Sequence, residues 1–310
     1  MNNIQPDSSL IDQLNRPWVE RKGFSHWGMA LLWLVLMFLT SQVVVAIVAV
    51  AVLFITGEVS TAEELLAAME TRLDVLFIGN SAGQILCFGL ATFLVVGLHS
   101  GAESKLRFLR MGWNDKVPGF MFYAVLLTLF IQPSVMFLGY FNSLLPVPDF
   151  IAEMQQNQYR MFEEFLRTDG VLLFGLLHIA LVPAFAEEIL FRGYILRAFE
   201  KSGGIIMAII FSSLVFALFH LQLTNLLPLA TLGAMMAVLT WLSGSIWPAV
   251  VAHFVNNGAA VVMGTYMPDT AFADMTPDAL PPIWMLALSI VLTVIMIKVI
   301  YHNSNYQLKS

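Results

Sequence analysis

From Gly28 to Ile55 the chain runs for 28 residues without a charged side chain. A helix crossing the hydrocarbon core of a bilayer needs about 20 such residues, and a signal-peptide core only about 7–15. The run therefore reads as a span kept in the mature protein. Seven more apolar runs follow at roughly 74–98, 119–140, 171–196, 204–221, 225–243, 245–264 and 282–301. Gly57, Gly101, Pro118, Pro146, Gly204, Gly244 and Pro281 punctuate the joints. Pro133 removes a backbone hydrogen bond inside the third run and predicts a kink there. Composition agrees: only 12% of residues are charged and mean hydropathy is +0.78, against about 25% charged in soluble domains. The expected fold is all-α: a polytopic membrane protein, a bundle of about eight transmembrane helices.

Lys and Arg bias in the loops sets orientation. With a cytoplasmic N-terminus, 11 basic residues lie inside (Arg16, Arg21, Lys22, Lys105, Arg107, Arg110, Lys116, Arg197, Lys201, Lys298, Lys309). Only Arg72, Arg160 and Arg167 lie outside, where Glu58, Glu63, Glu64, Glu70, Asp269, Asp274 and Asp278 also gather. Both termini are expected to be cytoplasmic, in a bacterial inner membrane. The segments read as a cytoplasmic N-terminal stretch (1–26), three helices (27–145), an interfacial amphipathic helix (146–169), a core of four helices (170–265), and a last loop, helix and tail (266–310). Helical spacing of Phe150, Ile151, Met154, Met161, Phe162, Phe165 and Leu166 supports the interfacial helix. No basic patch interleaved with aromatics is present, so nucleic acid is not an expected partner. The single cysteine, Cys87, cannot form an internal disulfide.

A charged side chain at the bilayer centre costs at least ~2.5–3.5 kcal/mol and needs a reason. The fourth run holds three: Glu187, Glu188 and Arg192. Glu188 and Arg192 are one turn apart and can pair. Glu187 points about 100° away, with no partner in its own helix. An unpaired carboxylate in low dielectric holds a proton more tightly than a solvated one, which suits a general base near neutral pH. The fifth run ends at His220, and the seventh carries His253 and Asn257 on one face. Unless these groups converge, each is an unsatisfied polar group in lipid. Convergence of Glu187, His220, His253 and Asn257 is thus a physical expectation.

Two chemistries suit that set. Glu187, His220 and His253 can hold a divalent metal such as zinc with a position open for water. Alternatively, Glu187 and His220 can activate water directly while His253 and Asn257 stabilise an oxyanion. Both hydrolyse an acyl bond. No His-Glu-x-x-His, Gly-x-Ser-x-Gly or phosphate-loop motif occurs. An ion-coupled transporter also uses intramembrane Glu, His and Asn, but the inverted repeats common in transporters are absent. A non-catalytic scaffold or immunity protein would keep the same residues as helix glue.

Glu187-Glu188-x-x-x-Arg192, Phe216-x-x-x-His220 and His253-x-x-x-Asn257, each on an apolar run and in this order, resemble the CPBP family (CAAX proteases and bacteriocin-processing enzymes, also called Abi). The resemblance covers about 170–265. It implies an eight-helix intramembrane peptidase, with Glu187 the water-activating base and His220 its partner. Glu188 and Arg192 would support the site, and His253 and Asn257 would stabilise the oxyanion. It implies a lipidated or membrane-embedded peptide as substrate and leaves zinc as an optional cofactor.

Overall fold

The computed structural model describes residues 15–271 and 280–304. The first 14 residues, Asp274, Asp278 and Lys309 lie outside the described residues. The described residues are 83% helical, with no strand among them. Its main helices are α1 (His26–Ile55), α2 (Ala62–Thr71), α3 (Leu73–Ser100), α4 (Val117–Ser143), α5 (Asp149–Leu166), α6 (Leu172–Phe219), α7 (Leu226–Ser243), α8 (Trp247–Tyr266) and α9 (Ile283–Asn303). Six of the described helical runs, built on α1, α3, α4, α6, α7 and α9, are long and apolar enough to cross a membrane. The all-α polytopic architecture therefore holds.

The count differs from the eight spans expected, for two physical reasons. The expected spans at 171–196 and 204–221 both fall in α6, one helical run of 48 residues. At 1.5 Å per residue such a run is about 72 Å long, more than twice the hydrocarbon core. It turns back at Gly204, whose φ of 80° and ψ of 176° are not helical. Phe199 stacks on Phe211 and Phe191 meets Phe219 edge-on, each pair straddling Gly204 almost symmetrically. α6 is thus a hairpin with a first arm (172–203) and a second arm (205–219). The expected span at 245–264 does form α8 but is not among the six. His253, Asn256 and Asn257 lower its hydropathy.

Gly204 is required by its backbone, because that region of φ/ψ space is nearly closed to other residues. A Cβ added there would meet nothing within 4 Å, so the penalty is conformational alone. Gly204→Ala is expected to lower stability by about 1–3 kcal/mol, read as thermal unfolding in detergent.

The first arm of α6 sits at the centre of the bundle. Leu190, Phe191, Tyr194, Ile195 and Leu196 on it are completely buried, whereas α1 turns Leu32, Val35, Leu39, Val43 and Ile47 outward, as lipid contact requires. α5 forms where its periodicity predicts. Phe162 and Phe165 pack on Phe77, while Phe150 and Met154 are exposed.

Candidate active site

Three π-helical stretches, Gln84–Ala91, Leu176–Leu181 and Ile189–Ile195, lie around the intramembrane carboxylates. Single π turns inside α-helices recur at functional sites, because the extra residue re-aims side chains and disturbs the hydrogen-bond ladder. Pro183 follows the second stretch. It lacks the N–H that would complete an i→i−4 bond to the Ile179 carbonyl, and Asn257 Nδ2 donates to that carbonyl at 3.1 Å.

Glu187 is buried at 7% exposure. Its Oε1 accepts a hydrogen bond from Gln84 Nε2 of α3 at 3.2 Å. Its Oε2 lies 3.9 Å from His220 Nε2, too far for a direct hydrogen bond, and is buried without a partner among the described residues. His220 closes the second arm of α6. Its Nδ1 lies 2.8 Å from the Phe216 carbonyl, and only N–H can bond there. In the neutral ring Nε2 therefore carries the lone pair. Glu187 and His220 meet because the hairpin equalises their depth: Glu187 precedes Gly204 by 17 residues and His220 follows it by 16. If the inner end of the first arm lay at 196, as the sequence suggests, their depths would differ by roughly 8 Å. Instead the arm stays helical to the glycine.

Glu188 makes a separate cluster. Its Oε1 accepts from Arg192 Nη1 at 2.9 Å and from His253 Nδ1 at 2.8 Å. Glu188 and Arg192 are 0% and 1% exposed. Arg192 Nη2 donates to the Gly233 carbonyl of α7 at 3.1 Å, and the guanidinium lies 4.3 Å from the centre of the Phe216 ring. Gly233 permits close packing of α7 on the second arm of α6: a Cβ there would come 3.2 Å from the Ser213 backbone and 3.2 Å from the Phe216 ring. Phe216 is the hub, with its carbonyl on His220 and its ring on Arg192, His220 and His253.

The expected four-way convergence is therefore only partly met. Glu187 and His220 face each other, but His253 binds Glu188 and Asn257 binds the Ile179 carbonyl. The hundred-degree offset between adjacent glutamates aims them at different helices, so each receives one imidazole. Glu187, His220 and His253 do not form one cluster: no group of three or more His, Cys, Asp or Glu that could hold a metal is found among the described residues. His253 Nδ1 is engaged by Glu188, which leaves Nε2 as its free ring nitrogen.

Three polar residues outside the expected set, Gln84, Ser81 and Asn256, join the site. Gln84 holds Glu187. One turn earlier, Ser81 Oγ bonds His178 Nδ1 at 2.8 Å, extending a polar seam along the α3–α6 contact. A glutamine in an apolar span, one turn from Asn80 and Ser81, is the only signal the sequence carries for it. Asn256 completes the amide chain on α8, accepting from Gln132 of α4 at 3.2 Å and donating to Asn257.

Fold and site together define an all-helical, multi-pass membrane protein with an acid–imidazole pair buried in its bundle. Residues 169–259, which contain every one of the six candidate residues, match the family model of the type II CAAX prenyl endopeptidase Rce1-like proteins. This supports assignment to the CPBP/CAAX protease family and, at family level, an intramembrane CAAX-type protease. No curated protein and no solved structure matches the chain.

Proposed function

We propose that this protein is an intramembrane endopeptidase that cleaves a membrane-associated or lipidated peptide with water activated between Glu187 and His220. The observation that carries the reading is the 3.9 Å separation of Glu187 Oε2 and His220 Nε2, two acceptors with no direct partner of their own among the described residues. One water can donate a hydrogen to each, which leaves its oxygen lone pairs free for a carbonyl carbon. As the oxygen adds to that carbon, Glu187 takes a proton. When the C–N bond breaks, the same carboxyl returns the proton to the leaving amine. Gln84 holds the other oxygen of Glu187, so the acceptor is oriented before substrate arrives.

Stabilisation of the oxyanion falls to Asn257 and His253 by resemblance to the family. The Asn257 amide keeps a second N–H beyond the one given to Ile179. His253 Nδ1 is held by Glu188, and a proton on the other ring nitrogen would make Nε2 a second donor. The apolar walls of the bundle make such donors worth more than in water. The family description supports a prenylated peptide ending in a CAAX-type sequence as the first substrate class to try.

Membranes containing wild type, Glu187→Gln or His220→Ala are compared for new peptide termini by mass spectrometry, with a farnesylated CAAX-type peptide added as reporter. Cleavage products are expected with wild type, and a fall of about 10²–10⁴-fold with His220→Ala. Absence of any wild-type-dependent product, or products from either variant equal to those of wild type, overturns the reading. Cleavage is also expected to survive zinc chelators. Loss of activity that added zinc restores would reinstate a metal.

A further inference from the structure

We infer that Gln155 of α5 is a positioning residue for His220, which rests on the reading of His220 as the water-holding partner of Glu187. Between residues 151 and 160 of this exposed helix, Gln155 is the one buried side chain, at 1% exposure. A buried amide must find partners or destabilise the fold. All of its partners lie in one place, the turn that follows His220. Gln155 Nε2 donates to the Leu221 carbonyl at 2.9 Å, and Gln155 Oε1 accepts from Thr224 N at 3.2 Å and Thr224 Oγ1 at 2.7 Å.

That turn needs holding. Leu221 has a φ of +55°, a left-handed conformation that a leucine adopts only when its surroundings impose it. The residue before it is His220. The last bonds of the second arm, His220 N to the Ala217 carbonyl and Leu221 N to the Leu218 carbonyl, tighten the helix into this reversal. A clamp on the Leu221 carbonyl therefore sets where the second arm ends, and with it the gap from His220 Nε2 to Glu187. The far end of the turn has its own clamp. Asn142 of α4, 0% exposed, donates to the Leu223 carbonyl at 2.8 Å and accepts from Leu227 N at 2.7 Å. It holds the start of α7 rather than the histidine, which makes it the natural control.

Gln155→Met keeps side-chain length and removes all three bonds. On a peptide that wild type cleaves, it is expected to lower kcat by about 10- to 100-fold with KM within about twofold. Asn142→Leu, measured where the same fraction of protein is folded, is expected to lower kcat less than about threefold, since larger losses need a displaced reacting group. Equal losses in the two variants would reduce Gln155 to general support of the turn and overturn the inference. So would an unchanged kcat, or a rise in KM alone. Glu187→Gln in the same assay separates the two readings. If it cleaves like wild type, the water-activation reading falls. If it is inactive while Gln155→Met is normal, only the positioning role falls.

Discussion

Glu187→Gln is expected to lower peptide-bond cleavage by ~10³-fold while leaving the protein at least as stable as wild type. Both halves follow from the same geometry. The glutamine oxygen can still accept the Gln84 hydrogen bond that Glu187 Oε1 accepts at 3.2 Å, so the α3–α6 contact survives. On the other side an N–H replaces the partnerless Oε2 and points at the lone pair of His220 Nε2, 3.9 Å away. A small movement turns two facing acceptors into a donor and an acceptor. The substitution thus removes the proton acceptor that the chemistry needs, and also a buried charge that the fold tolerates only for function. Thermal unfolding in detergent and cleavage of the farnesylated peptide are the paired measurements. Cleavage above about a tenth of wild type would deny Glu187 the role of base, since such a base contributes at least ~10². A markedly lowered unfolding temperature would show that the carboxylate is a structural partner instead.

How much of this was legible beforehand depends on which force decides each feature. Lipid admits few backbone solutions, so long uncharged runs such as 28–55 announce helices directly. The same rule marks Glu187, Glu188 and Arg192 as residues needing partners, and the four-residue spacing of Glu188 and Arg192 places that pair correctly. The length of the first arm of α6 was not legible. Arg197, Glu200 and Lys201 look like loop residues, yet Arg197 and Arg110 both bond Glu200 at 2.8 and 2.7 Å, and the paired charges let the helix continue to Gly203. Nor does periodicity say which neighbour lies on which side of a helix. It separates Glu187 from Glu188 by angle but cannot assign His253 to one or the other. Gln84 and Gln155 were hidden for a related reason: an uncharged amide in or beside an apolar helix carries only a weak signal. Its importance appears only when its partners are seen to be a carboxylate and a strained turn.

The largest effect on stability is expected from Glu188→Gln. The substitution leaves Arg192, 1% exposed, with the Gly233 carbonyl and the Phe216 face but no counter-charge in contact with it. Removing one partner of a buried ion pair costs about 3–5 kcal/mol, which for a chain of this size is a fall of roughly 5–8 °C in unfolding temperature. Arg192→Met should be comparably harmful, since it strands Glu188 with His253 alone. The double variant Glu188→Gln/Arg192→Met should be less harmful than the sum of the two, because it removes the charge along with its partner. Arg192→Lys should not rescue: an ammonium cannot give separate N–H groups to Glu188 and Gly233 while lying flat on Phe216. The pattern also divides labour between the adjacent glutamates. If Glu187 is the base and Glu188 the anchor, one variant is stable and inactive, and the other is unstable in proportion to its lost activity. A Glu188→Gln protein that folds like wild type yet fails to cleave would place both carboxylates in the chemistry, with His253 drawn in through the hydrogen bond it makes at 2.8 Å.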